Sequence, residues 1–101
     1  MDVIDRNLLA SYLLVKGTPG IPKSKLWFTD RGRRIVEWMI AEGYIEQQGS
    51  GCYLSERGEE IGALWARVAE DAGQGDDIAQ LIASIEDRYN RRLESLRSKK
   101  A

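Results

Sequence analysis

The sequence predicts a mainly α-helical fold of the α+β class that carries one small β-hairpin. Four segments repeat apolar residues at the spacing of helices that bury one face. Between two of these segments lies YIEQQGSGCYLS, residues 44–55, in which two short strand-forming runs flank a glycine-containing turn. The length of 101 residues is close to the commonest domain size, so we expect a single domain.

The N-terminal half is predicted to contain three helices. Residues 5–16 have helical apolar spacing, and the glycines and prolines of residues 17–22 interrupt the chain after them. A short helix can begin after Pro22. Thr29 is a favourable N-cap for a third helix over residues 30–42. The apolar stripe of this helix consists of Ile35, Val36, Met39 and Ile40.

The C-terminal half is predicted to contain two further helices. Ser55 can cap the first of them, which places Ile61, Leu64, Trp65 and Val68 on one face. The small and polar residues 72–75 are typical of a linker. We therefore divide the chain into a unit of residues 1–73 and a long C-terminal helix of residues 76–98. The apolar stripe of that helix consists of Ile78, Ile82, Ile85, Tyr89 and Leu96.

Composition excludes several classes of protein. Hydrophobic residues make up 43% and charged residues 31% of the chain, and no apolar run is long enough to span a bilayer. The start, MDVIDRNLL, lacks the basic segment of a secretion signal, so a cytoplasmic protein is expected. With Cys52 as the only cysteine and no histidine, neither Cys/His zinc sites nor Ser-His-Asp catalysis is possible. We expect no enzyme and no cofactor.

Charge is distributed in blocks although the net charge is only −1. Residues 16–34 contain six basic residues and one acid, Asp30, whereas residues 35–87 are strongly acidic. The last block, residues 88–101, is again basic. A local basic block in an otherwise acidic chain indicates a local anionic partner.

Residues 34–65, RIVEWMIAEGYIEQQGSGCYLSERGEEIGALW, resemble the recognition helix, wing and following helix of MarR-type and PadR-type winged-helix transcription regulators. Those families show an Arg-led amphipathic helix, a glycine, an apolar pair, a hairpin, and an aromatic-Leu-[Ser/Thr]-x-x-Gly step. The positions that match are Gly43, Tyr44, Ile45, Tyr53, Leu54, Ser55 and Gly58. The resemblance implies a winged helix-turn-helix, followed here by a long C-terminal helix placed like the dimerisation helix of PadR-type proteins.

Two nearly identical phrases begin the third and fourth predicted helices, but with opposite charges. Residues 29–36 are TDRGRRIV and residues 55–62 are SERGEEIG. A helix N-terminus carries unpaired N–H groups and a partial positive charge, so the acids of the second phrase stabilise their helix. The arginines of the first phrase oppose the dipole, which indicates that an anion binds there. Gly32 could allow close approach to a DNA backbone. We favour close helix–helix packing as the interpretation of both Gly32 and Gly58.

The candidate DNA contacts follow from this charge pattern. Arginines at the start of a recognition helix can pair with guanine or neutralise phosphate. Residues that open the short helix can hold phosphates that set the register. The candidates are Lys23, Ser24, Lys25, Thr29, Arg31, Arg33 and Arg34. The alternative is a solvated basic face that pairs with acids elsewhere in the domain.

The C-terminal stripe predicts a partner surface. It can fold back on its own domain or meet a second copy, and a two-fold homodimer is the commonest closed arrangement. The dimerisation residues are then Ile78, Ile82, Ile85, Tyr89 and Leu96.

Two further residue sets have functional and structural interpretations. Cys52 could be a redox sensor, but its place in the strand favours a small buried hydrophobe. Trp27, Trp38 and Trp65 could line a pocket for a small-molecule effector, but helical spacing favours core or dimer contacts.

Two functions from different classes remain open at this stage. The first is sequence-specific binding of double-stranded DNA by a homodimeric transcriptional repressor or DNA-organising factor. The second is a winged-helix protein–protein adaptor or inhibitor encoded by a mobile element. The wing tip, QQGSG, has no Lys or Arg, which favours the second function.

Overall fold

The computed structural model describes residues 4–26 and 29–100. The chain is mainly helical with a small three-stranded antiparallel sheet, as the α+β prediction requires. The elements in order are α1 (Arg6–Gly17), β1 (Ile21–Pro22), α2 (Lys23–Leu26), α3 (Asp30–Ala41), β2 (Ile45–Gln48), β3 (Gly51–Leu54), α4 (Glu56–Asp71) and α5 (Gly75–Lys100). Trp27, one of the three candidate pocket tryptophans, lies outside the described residues.

The sheet contains a strand that the sequence analysis missed. The predicted hairpin is present as β2 and β3, and β1 pairs with the other edge of β3, with Ile21 opposite Cys52. Gly51 has no side chain, so the chain at Gly20 can approach it closely: a Cβ at Gly51 would lie 3.0 Å from the Gly20 carbonyl oxygen. The backbone N–H of Lys23 also donates to the Ser50 carbonyl, at 3.1 Å. These contacts fix the start of α2 against the hairpin.

Helix α1 forms the centre of the core. Its residues from Leu9 to Tyr12 are all buried, and so are Leu14 and Val15. Packed around it are buried residues from α3, the sheet, α4 and α5, which are Val36, Met39, Ile21, Ile45, Cys52, Ala69 and Ile78. A helix buried on nearly all sides must be covered by several partners, and α1 contacts α3, α4, α5 and β3.

The repeated phrase is a repeated capping unit. The Thr29 hydroxyl accepts a hydrogen bond from the Gly32 N–H at 2.9 Å, and the Ser55 hydroxyl accepts one from the Gly58 N–H at 3.0 Å. Both glycines are buried. A Cβ at Gly58 would lie 2.0 Å from the Tyr44 carbonyl oxygen. Both glycines are therefore sites of close packing. At Gly32 the neighbour is the Leu26 carbonyl of α2, 3.2 Å from the position of a Cβ. At Gly58 the expected helix–helix contact is wrong, because the helix meets Tyr44 in the chain before β2.

Helix α4 packs through its small residues and leaves larger ones exposed. Its buried residues are Gly58, Gly62 and Ala69. A Cβ at Gly62 would lie 2.0 Å from the Tyr12 ring, so α4 sits directly on α1. The predicted stripe does form one face, but Leu64 is 53% exposed and Val68 is 36% exposed.

Helix α5 folds back on the rest of the chain along its first half. Ile78 is only 3% exposed, and Ile82 and Ile85 pack against the same core. The Gln74 side chain bonds to both the N–H and the carbonyl of Ile4, which holds the predicted linker against the N-terminal segment. The first three residues of the predicted dimerisation stripe are thus occupied within the chain, whereas Leu96 is 49% exposed.

The close contact at Gly58 gives a stability test. We expect Gly58→Ala to lower the free energy of unfolding by about 3 kcal/mol, because the new methyl group meets a backbone carbonyl that cannot turn aside. Gly75→Ala is the control, since nothing lies within 4 Å of its position. It should be neutral or stabilise the protein by up to about 1 kcal/mol. Urea unfolding of both variants measures the difference, and equal stabilities would contradict the packing described here.

Candidate nucleic-acid interface

Helix α3 is amphipathic, and its buried face fixes which residues point outward. Gly32, Val36 and Met39 are buried, four and then three residues apart, which places them on one side of the helix. Arg33 and Arg34 are exposed in the first turns. In the described part of the chain, neither guanidinium has a hydrogen bond or an ion pair, so both are free to bind an anion.

Arg31 is arranged differently from its two neighbours. Its guanidinium forms an ion pair with the carboxylate of Asp5. The same carboxylate caps α1 by accepting a hydrogen bond from the Asn7 N–H at 2.9 Å. Asp5 therefore joins the N-terminus of α1 to that of α3, and Arg31 has a structural partner before any ligand arrives.

The pKa of Asp5 reflects this junction. Partial burial acts to raise the pKa, but the hydrogen bonds and charge of Arg31, together with hydrogen bonds from Asn7, outweigh it and the pKa is lowered. A carboxyl with a lowered pKa in the folded state adds stability above its unfolded pKa of about 3.9. That contribution is lost as the pH falls through the lower, folded value.

The candidate residues of α2 face different surroundings. The Lys25 ammonium lies 2.7 Å from a carboxylate oxygen of Glu86 and 5.3 Å from the centre of the Tyr89 ring, and the Lys25 side chain is only 15% exposed. Lys23 reaches the hairpin, with its ammonium 3.4 Å from the Gln47 side-chain oxygen. Ser24 between them is exposed. Lys25 thus contacts α5, whereas Lys23 and Ser24 border the hairpin.

The hairpin and the outward side of α3 add few further charges. The hairpin turn at Gly49 and Ser50 carries no basic residue. Gly49 has a left-handed backbone conformation (φ +61°), which glycine adopts without strain. Glu37 is exposed one turn after Arg33. An acid there opposes a continuous row of phosphate contacts, but a carboxylate can accept a hydrogen bond from cytosine N4 in the major groove.

The other two functional interpretations have clear geometric outcomes. Cys52 has no exposed surface, and burial raises the pKa of its thiol against the opposing charge of Lys23, so the packing interpretation is confirmed. Trp38 and Trp65 both pack edge-on against Tyr44, with ring centres 5.6 and 5.8 Å apart. They form a partly exposed aromatic row.

Sequence reasoning did not find three long-range contacts at this interface. Arg31 pairs with Asp5, and Lys25 contacts both Glu86 and Tyr89. The guanidinium of Arg57 donates to the Glu42 carbonyl oxygen at 3.0 Å. Each joins residues far apart in sequence, so no local pattern indicates them. The position shared by Arg31 and Arg57 in the repeated phrase was the one available signal.

Comparisons with known proteins add no relative, since no family model, curated protein or solved structure matches the chain. Among residues 4–26 and 29–100, none of the helices combines the length and the apolar character that crossing a bilayer requires. Within the same ranges, no three His, Cys, Asp or Glu side chains are grouped so that they could hold a metal ion.

The Asp5–Arg31 pair can be tested by a mutant cycle. Asp5→Asn keeps a good N-cap but removes the charge, so we expect the free energy of unfolding at pH 7 to fall by less than about 1 kcal/mol. Arg31→Gln should have a similar effect, and the double variant should lose little more than either single one. The advantage of the wild type should disappear as the pH falls from about 3.9, the unfolded pKa of Asp5, through its lower folded pKa. Fully additive losses at pH 7 would contradict the pairing.

Proposed function

We propose that the chain is a winged helix-turn-helix protein that binds double-stranded DNA, with α3 as its recognition helix. In this proposal it acts in the cytoplasm as a homodimer, as a small transcriptional repressor or DNA-organising factor. The element order supports it, because α1, α2, α3 and the hairpin follow in the order of that fold. The contacts of β1 with β3 and of Lys23 with Ser50 hold α2 beside the hairpin.

One observation carries the proposal. Arg33 and Arg34 are exposed at the positive end of α3, where they oppose the helix dipole and where, in the described part of the chain, neither guanidinium has a partner. Thr29 caps this end of α3, Asp30 lies in its first turn, and Asp5 pairs with Arg31. Within the described residues, none of the three pairs with Arg33 or Arg34. A DNA phosphate or a guanine edge would supply the missing acceptor.

The seven candidate contacts differ in how available they are. Arg33, Arg34, Ser24 and Thr29 are exposed, and the Thr29 hydroxyl already accepts the Gly32 N–H. Arg31 would have to share its guanidinium between Asp5 and DNA, and Lys25 would have to leave Glu86. We therefore assign the main contacts to Arg33 and Arg34, and supporting phosphate contacts to Lys23, Ser24 and Thr29.

The alternative is a winged-helix adaptor or inhibitor that binds another protein. It is favoured by the uncharged wing tip, by Glu37 on α3, and by the exposed apolar side chains of Trp38 and Leu64. The two functions differ in their response to salt. Phosphate binding weakens steeply as salt rises, whereas an adaptor should show little affinity for random duplex DNA at any salt concentration.

The arginine pair gives the direct test. We expect Arg33→Ala with Arg34→Ala to lower DNA affinity by at least about 30-fold at moderate salt and to reduce the salt slope by about two. Stability should be equal or slightly higher, because two unfavourable charges leave a helix N-terminus. Fluorescence anisotropy with duplexes from the region upstream of the gene measures the affinity.

The control for this test is Arg91→Ala with Arg92→Ala, which removes the same charge from the exposed distal part of α5. It should change the affinity by less than about threefold, because nonspecific attraction falls equally in both variants. If the variant with Arg33→Ala and Arg34→Ala binds DNA as tightly as this control does, the assignment of α3 as the recognition helix is overturned.

A further inference from the structure

A contiguous apolar surface lies along one flank of α4, beside the side that packs on α1. We call it the α4 face, and it consists of Trp38, Tyr44, Ile61, Leu64, Trp65 and Val68. Leu64 is 53% and Trp38 is 46% exposed. Tyr44, Ile61 and Leu64 line a shallow depression of about 210 Å³ together with Arg57 and Glu60. The Arg57 guanidinium lies 5.0 Å from the centre of the Tyr44 ring. Exposed side chains this large in one contiguous surface are typical of an interaction site.

The exposure follows from how α4 is anchored. Gly58 and Gly62 bring the helix into direct contact with Tyr44 and Tyr12. Trp65 packs partly against the core, while Leu64 and Val68 remain exposed. Ile61, Leu64, Trp65 and Val68 are spaced by three, one and three residues, which is the spacing of a helix seam that receives a second helix.

Unpaired charges of both signs border this seam. Glu60 and Arg67 are both exposed, lie seven residues apart, and flank the same edge of the apolar stripe. Neither has an ion-pair partner within the described part of the chain. A rise of 1.5 Å per residue places them about 10 Å apart along the helix, too far to pair with each other.

We propose that the α4 face is the surface through which two copies of the chain associate, with their α4 helices antiparallel about a two-fold axis near Leu64. In that arrangement Leu64 meets its own copy and Ile61 lies across from Val68. Glu60 of each copy then comes within one residue of the level of Arg67 of the other, so both unpaired charges acquire a partner.

Charge order is what selects a second copy in this orientation. A parallel pair would place Glu60 against Glu60 and Arg67 against Arg67, which is unfavourable at both positions. A partner of one uniform charge would repel one of the two residues. The chain itself supplies both signs in the required order, and an isologous contact is the commonest form of association.

This inference assigns a contact surface to the homodimer of the proposed function. It rests on that function only in assuming that two copies associate about a two-fold axis. It moves the contact from the stripe of α5, where Ile78, Ile82 and Ile85 already pack within the chain, to α4. The distal part of α5, with Leu96 exposed, is the rival surface.

Sedimentation equilibrium of the full chain compares the two surfaces. We expect a dimer for the wild type at tens of micromolar, a monomer for Leu64→Glu, and a dimer for Leu96→Glu. Circular dichroism should show the same helix content in all three. A wild-type monomer, or a Leu96→Glu monomer beside a Leu64→Glu dimer, would overturn the proposal.

Charge exchange tests the antiparallel geometry. Glu60→Arg and Arg67→Glu should each weaken association by about tenfold, since two ion pairs become two repulsions. An equimolar mixture of the two variants should recover the wild-type dissociation constant to within about threefold, because a heterodimer restores both pairs. Glu59→Arg is the control, with the same charge change on another side of α4. A mixture no tighter than its components would rule out this geometry.

The two proposals fail in distinguishable ways. Sedimentation is measured without DNA. A wild-type dimer that shows no binding to duplex DNA would therefore refute the DNA-binding function and support the α4 interface. A wild-type monomer that binds DNA would refute the α4 interface and leave α3 as a recognition helix.

Discussion

The burial of α1 is the constraint on which the rest of the structure depends. Six of its residues are buried, so it needs neighbours on nearly every side, and α3, α4, α5 and β3 supply them. To lie beside Tyr12, α4 must present Gly62, because any side chain there would collide with the ring. The remaining gap is closed by α5, which inserts Ile78 into the core. The exposed α4 face and the occupied α5 stripe are both consequences of covering this one helix.

Local signals predicted the elements well, whereas long-range contacts were not predictable. Thr29 and Ser55 cap α3 and α4 as expected, and the hairpin lies where its glycines indicate. These features depend on residues within a few positions of one another. The two-residue strand β1 has no periodicity to detect, and it forms because β3 offers a free edge beside Gly51. The periodicity of α4 predicted its apolar stripe. It did not predict that the glycines of α4 would be its buried residues, together with Ala69.

The sequence identified the residues of the candidate site, but it did not predict which side chains they contact. Charge pattern alone treated Arg31, Arg33 and Arg34 as equivalent. Among the residues that the structure describes, only Arg31 of the three pairs with a carboxylate, because Asp5, the N-cap of α1, lies beside it. Arg57 holds the corresponding position in the second phrase and also reaches back, to the Glu42 carbonyl. The shared residues of the two phrases thus have structural roles. The difference between the phrases is confined to the exposed pairs, arginines on α3 and glutamates on α4, where solvent or a partner decides which sign is useful.

The two proposed surfaces meet on a single helix, which has a mechanical consequence. Trp38 belongs to the α4 face and lies one turn beyond Arg34 on α3. The edge-on ring contacts from Trp38 through Tyr44 to Trp65 join α3 to α4 without an intervening flexible segment. A second copy bound to the α4 face would therefore contact α3, the proposed recognition helix, and not only a remote dimerisation element. Association would then limit the rotation of α3 about its own axis, and the angle between the arginine pairs of the two copies would be set by the packing of apolar side chains. Rigid spacing of this kind is what a two-fold DNA site demands, because its half-sites lie a fixed number of helical turns apart.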